Sequence, residues 1–289
     1  MYNEIASNKR KTVLLMTIAV LVLLAFGWAY GQYTGDVAGG LALAAIFSIG
    51  GNVVSYFASD KIALASSGAK QIEKTDNPEL YRIVENLAIT AGVPMPRVAI
   101  INDSAMNAFA TGRNPEHAVV AVTTGLLERL NKNELEGVIA HELSHVRNYD
   151  ILLMTVVVVL IGTMALLADM FHWGSMGRRS NQREDNNFGF IIALVLLIVA
   201  PLIGQLIKLA VSRKREFLAD ASGALLTRYP EGLASALEKI STDPQPLKRV
   251  NHATAHLFIS NPFKSEAFSN LLSTHPPAEE RIRRLREML

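Results

Sequence analysis

Four long apolar runs dominate the pattern of hydrophobic and polar positions along the chain. They cover Thr12–Tyr30, Val37–Ser59, Ile151–Ala168 and Phe188–Ile207, and none of them contains a charged residue. A helix needs about 20 mostly apolar residues to cross the hydrocarbon core of a bilayer. The pattern therefore predicts four membrane-spanning helices, arranged as two hairpins.

The second pair of runs is less regular than the first. Asp169 closes the third run and Pro201 interrupts the fourth, although a membrane helix tolerates proline where neighbouring groups satisfy the freed carbonyl. We place these two spans at residues 151–169 and 188–211. The loop 172–187 between them carries three arginines, so either it is exported despite its charge or the two runs form a hairpin that does not fully span.

Basic residues near the ends of the runs set the predicted orientation. Lys9–Lys11 place the N-terminus in the cytoplasm, Gly31–Asp36 carries no basic residue, and Arg213–Arg215 mark the cytoplasmic side after the fourth run. A cleaved signal peptide is the alternative for the first run. That run is too long for a typical signal peptide, and a second run follows closely, which favours a signal anchor.

The polar segments predict a small mixed α/β unit over residues 60–150 and a helical unit over residues 212–289. In the first unit the predicted elements are the helix Pro78–Ala91, the strands Arg97–Ile101 and His117–Val122, and the helix Glu134–Arg147.

Three features predict where helices begin. Asn133 followed by Glu136 has the spacing of a capping box for the helix Glu134–Arg147. Pro230 and Pro277 are expected in the first turns of two later helices, where proline is favoured.

Composition narrows the possible partners and chemistry. Half of the 289 residues are hydrophobic and 19% are charged, and the mean hydropathy is +0.24. The net charge of +2 is too small to indicate a nucleic-acid partner. The chain has no cysteine, so disulfides and thiolate metal sites are excluded. Any metal must be held by imidazole and carboxylate groups.

The helix predicted over Glu134–Arg147 contains the sequence His141-Glu142-Leu143-Ser144-His145. Two histidines four residues apart project from one face, close enough for both rings to bind one ion. Zinc suits two imidazoles and a carboxylate and leaves a fourth position for water. Glu142 is the natural base for that water, because it lies next to a ligand without sharing the ligand face.

A third ligand must come from another part of the chain. The metzincin pattern is excluded. It requires glycine at position 148 and histidine at position 151, where this chain has Asn148 and Ile151. Glu216 is the best candidate, and Asp220, one turn later, can accept the free N–H of a ligand histidine. A membrane hairpin would return Glu216 to the surface that carries the histidines. The alternative interpretation is a juxtamembrane face of mixed charge.

Together these residues resemble the HtpX family of bacterial membrane proteases, which is related to the CaaX prenyl endopeptidases. The resemblance rests on two N-terminal spans, the His-Glu-x-x-His helix and the later apolar pair, and on three further motifs. These motifs are Asn107-Ala-Phe-Ala-Thr-Gly112, Glu216-Phe-x-Ala-Asp220 and Ser273-Thr-His-Pro-Pro277. The resemblance implies one Zn²⁺ per chain, held by His141, His145 and Glu216, with Glu142 as general base.

The resemblance also implies roles for two further regions. An edge formed by Asn107, Ala108, Phe109, Ala110 and Thr111 is expected to pair with extended substrate. His275 is expected to act as an oxyanion stabiliser, because it and Arg281 match a motif near the catalytic centre of the prenyl endopeptidases. The implied role is proteolytic quality control of misfolded or damaged membrane proteins under stress, in the bacterial inner membrane.

The predicted fold is an α-helical, multi-pass membrane protein with a small α+β, mainly helical, zincin-like peptidase domain built around the His-Glu-x-x-His helix. Its expected parts are a first hairpin (1–59), the first half of a cytoplasmic peptidase domain (60–150), a second hairpin (151–211) and the second half of that domain (212–289). The rivals are an intramembrane site-2 protease and a membrane adaptor with structural zinc. The motif lies outside every apolar run, which argues against the first, and structural zinc requires four protein ligands.

Overall fold

The computed structural model describes residues 2–158, 213–249, 254–260 and 276–288. The apolar run Phe188–Ile207 and His275 lie outside the described residues, as does most of the run Ile151–Ala168.

Two long helices begin the chain, α1 (Tyr2–Thr34) and α2 (Val37–Ser67), and they pack against each other. Segments Glu4–Gln32 and Val37–Ala58 within them are long and apolar enough to cross a membrane, and only 28% and 17% of their most apolar windows are buried. Outward-facing side chains such as Leu21 and Phe47 are each 60% exposed. The first two predicted spans therefore form helices with apolar outer surfaces.

Local chemistry fixes both ends of α2. The Asp36 side chain accepts a hydrogen bond from the Gly39 backbone at 2.8 Å, which caps the first turn. Gly68 ends the helix in the left-handed conformation (φ 69°), and its N–H bonds to the Ala65 carbonyl. The helix thus continues beyond the apolar run, whose end we predicted at Ser59, into the polar part of the chain.

A four-stranded sheet follows, in the order β1-β2-β4-β3. Only the central β2–β4 pair is parallel, and the two outer pairs are antiparallel. The strands are β1 (Ala69–Ile72), β2 (Arg97–Ile101), β3 (Ala108–Thr111) and β4 (Val119–Thr123).

The remaining described helices form one core together with one face of this sheet. They are α3 (Pro78–Ala91), α4 (Thr124–Arg129), α5 (Lys132–Arg147), α6 (Arg213–Thr227), α7 (Pro230–Thr242) and α8 (Ala278–Arg286). The main core lies between the sheet, α3, α5 and α7. A second cluster covers the opposite face, where Phe109 meets Phe258 edge to face at 5.1 Å and Met154 contributes from a helical segment at 150–158.

The structure corrects the predicted start of α5. The capping box is formed by Asn131 and Glu134, not by Asn133 and Glu136: Asn131 Oδ1 accepts from the Glu134 N–H at 3.0 Å, and Glu134 Oε2 accepts from the Asn131 N–H at 2.8 Å. The same spacing occurs twice in the sequence. Tertiary contacts favour the earlier pair, because Ser235 of α7 also donates to the Glu134 carboxylate at 2.7 Å.

The other predicted boundaries are close to those observed. The helix Pro78–Ala91 and the strand Arg97–Ile101 are confirmed, and Pro230 is the first residue of α7. The strand predicted at His117–Val122 begins later, at Val119, because Pro115–His117 form a short 3-10 helix. Pro277 occupies the N-cap position of α8, one residue before the first turn in which it was expected.

Candidate metal centre

Helices α5 and α6 bring together His141, His145 and Glu216. One potential ligand atom from each lies within 4.8 Å of the others, and all three residues are at least 96% buried. The two Nε2 atoms are 3.2 Å apart, and Glu216 lies 3.8 Å from His141 Nε2 and 3.6 Å from His145 Nε2. This separation lets one cation contact all three side chains.

The close approach of α6 to α5 depends on a glycine. A Cβ atom at Gly223 would lie 3.0 Å from the His141 backbone nitrogen and 3.2 Å from its Cα. Those atoms belong to a helix backbone and cannot move aside easily. A side chain at this position would therefore push Glu216, on the same helix, away from the histidines.

Each histidine directs its other ring nitrogen towards a carboxylate. His141 Nδ1 lies 2.9 Å from Asp220 Oδ1, and His145 Nδ1 lies 3.0 Å from Asp150 Oδ2. A carboxylate accepts the Nδ1–H, which leaves the Nε2 lone pair directed into the cluster. Asp220 is where the sequence predicted it, one turn after Glu216.

Sequence analysis missed Asp150. Its one signal is a carboxylate at the very start of an otherwise apolar run, five residues after His145. Charged residues at such positions are commonly interpreted as the end of a span. A two-residue turn, Asn148–Tyr149, interrupts the helix after α5, and beyond it the Asp150 carboxylate bonds to His145. The sequence does not show this turn.

Arg281 from α8 closes the other side of the cluster. Its guanidinium donates to both oxygens of Asp220, at 2.9 and 2.7 Å, and to the Ile259 carbonyl at 3.3 Å. Although burial opposes ionisation of Asp220, the Arg281 charge and the hydrogen bonds from His141 and Arg281 lower its pKa to about 2. Asp220 therefore remains ionised and holds His141 in place.

Glu142 lies beside the cluster and is 2% exposed. Burial raises the pKa of its carboxyl to about 7; the His145 charge opposes this shift and the Glu216 charge adds to it. The backbone N–H of Ala110 in β3 opposes this rise in the pKa of Glu142. Glu142 thus has the environment of a proton acceptor whose pKa lies near neutrality.

The two histidines differ in their electrostatic surroundings. Burial lowers the pKa of His141 to about 4, despite the hydrogen bond to Asp220. For His145, burial also favours the neutral ring, but the hydrogen bond to Asp150 and the nearby Glu216 charge outweigh it and raise the pKa to about 9. A cation at the shared Nε2 positions would favour the neutral form of both rings.

The predicted substrate edge, Asn107–Thr111, includes all of strand β3, one of the two outer strands of the described sheet. Its residues are buried, and part of its free edge is already occupied. The Ala108 carbonyl accepts from the Ile259 N–H at 2.9 Å, and the Asn107 amide donates to the Ser260 carbonyl at 3.0 Å. The predicted edge is therefore already paired with the chain itself at Asn107 and Ala108.

The donor set suits a divalent transition metal. Two imidazole nitrogens and one carboxylate oxygen meet in one buried place, and the other nitrogen of each ring is held by a carboxylate. Within the described residues this cluster has three members, which is the number of protein ligands that catalytic metal sites commonly use.

Comparison with known proteins agrees with the presence of a catalytic metal site. Residues 74–289 match Peptidase family M48. The chain is 49% identical to a "Protease HtpX homolog" of Thermoanaerobacter pseudethanolicus, covering 100% of this chain and 98% of the relative. It is 48% identical to one of Tropheryma whipplei strain Twist with the same coverage, and 46% identical to one of Dictyoglomus turgidum over 99% of this chain and 94% of the relative.

A crystal structure of Ste24p from S. mikatae shares the fold, with a TM-score of 0.53 and 18% identity over 99% of this chain and 67% of that chain. These matches confirm the resemblance drawn from the sequence motifs. The chain belongs to peptidase family M48 and, within it, to the HtpX proteases, which makes it a membrane metalloprotease that hydrolyses peptide bonds.

Proposed function

We propose that this chain is a zinc-dependent endopeptidase in which His141, His145 and Glu216 hold the metal and Glu142 is the general base. One observation carries the proposal: the three donor atoms converge within 4.8 Å in a buried cluster, and Glu142 lies on the same helix, next to His141. We also propose that the peptidase domain is zincin-like.

Zinc is favoured by the chemistry of the donors. Nitrogen and oxygen ligands in a set of three suit catalytic zinc, whereas Mg²⁺ and Ca²⁺ prefer oxygen ligands in larger numbers. When bound, the metal supplies Lewis acidity that activates water and polarises the substrate carbonyl. Asp220 and Asp150 keep both imidazoles oriented for coordination.

Glu142 would move the protons of the reaction. Its carboxylate accepts a proton from the attacking water and later donates it to the leaving amine, so one residue serves both steps. The Ala110 N–H of β3 favours the charged form of this carboxylate. Burial excludes bulk water from the group and fixes its direction.

Extended substrate is proposed to pair with β3 along Asn107–Thr111. Support comes from the position of β3 at the outside of the described sheet and from the effect of the Ala110 N–H on the pKa of Glu142. Because the Ile259 N–H already bonds to Ala108, a peptide must pair beyond this point or displace Ile259. His275 stays a proposed oxyanion stabiliser, on the strength of its sequence motif.

We place the substrates among misfolded or damaged membrane proteins, with the site on the cytoplasmic side of a multi-pass protein. The apolar outer surfaces of α1 and α2 and the basic residues before α1's apolar run support this placement. The proposed parts are 1–59, 60–150, 151–211 and 212–289, as predicted from the sequence.

The absence of cysteine makes the orientation easy to test. Single cysteines at Thr34 and Glu79, both exposed, would report on opposite sides of the membrane. In intact spheroplasts a membrane-impermeant maleimide should label Thr34→Cys and leave Glu79→Cys unlabelled until the membrane is opened. The reverse labelling would overturn the cytoplasmic orientation.

The metal assignment is tested by measuring zinc content and cleavage of an unfolded protein in detergent. Wild type should hold one zinc per chain and cleave, whereas Glu216→Ala should lose both properties. Glu79→Ala, which removes an exposed carboxylate, is the matched control and should keep both. Wild type without zinc, or Glu216→Ala with normal zinc and cleavage, would refute the assignment.

A further inference from the structure

A sharp turn carries Asp150 to its position against His145. Helix α5 ends at Arg147, and Tyr149 adopts a left-handed conformation with φ 59°. This conformation is disfavoured for a residue with a large side chain, so surrounding contacts must hold it. Those contacts come from the beginning of the chain.

Asn8, in the first part of α1, holds both sides of this turn. Its Nδ2 group donates to the Asn148 carbonyl at 3.0 Å and to Asp150 Oδ1 at 2.7 Å. The Asn8 side chain is nearly inaccessible, since the residue is 1% exposed. Asp150 thus has one oxygen bonded to His145 and the other bonded to the N-terminal helix.

Neighbouring groups reinforce this contact. Arg215 Nη1 donates to Asn8 Oδ1 at 3.4 Å and lies 3.6 Å from Asp150 Oδ1. The Lys9 ammonium lies over the Tyr149 ring, 4.3 Å from its centroid. An amide at position 8 can donate to the carboxylate and accept from the guanidinium at once, which no apolar or acidic side chain can do.

We propose that Asn8 is a positioning residue for the metal centre: it fixes the 148–150 turn so that Asp150 orients the His145 ring. Helix α1 then contributes a positioning residue to the metal centre in addition to its proposed role as a membrane anchor. This inference rests on the proposed function, because it takes His145 as a metal ligand. It adds a connection between residues 140 positions apart in the sequence.

The expected effect on metal affinity follows from the role of groups that hydrogen-bond to a metal ligand without touching the metal. Loss of a group that orients a ligand histidine typically lowers metal affinity by about 10- to 100-fold. Asn8 acts through Asp150, so we expect Asn8→Leu to weaken zinc binding by about tenfold. Leucine has the same number and branching of side-chain heavy atoms as asparagine, so the substitution removes the hydrogen bonds without leaving a cavity.

The experiment uses the full-length protein in detergent and needs no substrate. Zinc affinity is measured by competition with a chelator, and the Co²⁺-loaded protein gives an absorption spectrum that reports ligand geometry. Thr17→Val is the matched control: Thr17 lies on the same helix, is exposed, and its hydroxyl donates to the Val13 carbonyl of that helix at 2.9 Å. Asp150→Ala and the double variant Asn8→Leu/Asp150→Ala complete the set.

The proposal predicts weaker zinc binding and shifted Co²⁺ bands for Asn8→Leu, and neither change for Thr17→Val. The double variant should bind zinc no more weakly than Asp150→Ala alone, since Asn8 acts through Asp150. Normal affinity and an unchanged Co²⁺ spectrum in Asn8→Leu would overturn the positioning role while the metal assignment stands. A wild type that binds neither metal would remove the proposed function and this inference together.

Folding is monitored by circular dichroism. If Asn8→Leu loses its helical signal, Asn8→Ser replaces it, because serine is too short to reach Asp150 yet can bond within its own helix, as Thr12 does to the Asn8 carbonyl at 2.9 Å. The same weakening of zinc binding in Asn8→Ser supports the proposal, and wild-type affinity in a folded Asn8→Ser contradicts it.

Discussion

On helices α1 and α2 large apolar side chains face outward, whereas around the metal centre charged side chains face inward. Phe47 is 60% exposed and Leu21 is 60% exposed, while Glu216 and His141 are each 1% exposed. A soluble protein shows the opposite arrangement, with apolar residues inside and charges at the surface.

The difference shows that the two regions meet different demands. Apolar side chains can face outward on α1 and α2 where the surrounding medium is hydrocarbon. Charges can face inward at the site because each is placed against an opposite charge or a hydrogen-bond partner, as Asp220 is against Arg281 and Asp150 against Asn8. The two regions are joined where α1 contacts the turn after α5.

The largest expected effect comes from the catalytic carboxylate. Glu142→Gln should retain zinc, because it leaves all three proposed ligands in place, but should lose at least about a thousandfold in the rate of peptide hydrolysis. The rate is measured on an unfolded protein alongside the zinc content. Glu136→Gln, on the same helix but partly exposed, should cleave like wild type. Near-normal turnover of Glu142→Gln would remove Glu142 from the mechanism.

Substitution of Arg281 tests whether the buried charged side chains of the site stabilise one another. Arg281→Ala leaves Asp220 buried without its guanidinium partner, and we expect the free energy of unfolding to fall by about 3–5 kcal/mol. A urea titration followed by circular dichroism measures it. Arg283→Ala, on the same helix, breaks an exposed ion pair with Glu280 at 3.0 Å and should change stability little, because solvent screens that pair. Equal effects of the two substitutions would contradict this view of the site.

Substitution of Phe47 tests whether the apolar outer surface of α2 contacts lipid. Phe47→Asp, at the middle of the apolar segment Val37–Ala58 of α2, should make membrane insertion of that helix less favourable by about 3 kcal/mol, because the charge would face hydrocarbon. The inserted fraction of α2 in a glycosylation-based insertion assay measures the change, and Phe47→Leu is the control. Unchanged insertion of Phe47→Asp would mean that this face of α2 does not contact lipid.

The smallest expected effect lies at the start of α5. Asn131→Ala should lower the free energy of unfolding by about 1 kcal/mol, because Asn131 caps the helix that carries both histidines. Asn133→Ala should have little effect, although the sequence favoured Asn133 as the cap. Urea titration of both variants decides between them, and a larger loss for Asn133→Ala would contradict the observed cap.

The sequence predicted those parts of the site that depend on local spacing. His141 and His145 share a helix face by their separation alone, and Glu216 and Asp220 stand one turn apart on a second helix. The pairing of α5 with α6 followed from the assumption that an apolar hairpin returns to its starting surface. The structure brings these four residues together.

The parts that were missed depend on tertiary contacts. Asp150 faces His145 after a turn in which Tyr149 adopts a left-handed conformation, and Asn8 meets them from the opposite end of the sequence. Strand β1, Ala69–Ile72, was also missed: its central residues Lys70 and Gln71 are both polar, so no alternation marks it. Its register with β2 identifies it.

The central claim is that His141, His145 and Glu216 hold one metal ion. Anomalous diffraction at the zinc absorption edge, from crystals of the zinc-loaded protein, tests it most directly. The account predicts one strong peak at about 2.0–2.2 Å from Nε2 of each histidine and from a Glu216 carboxylate oxygen. A peak elsewhere in the molecule, with these three side chains making no contact to it, would contradict the account.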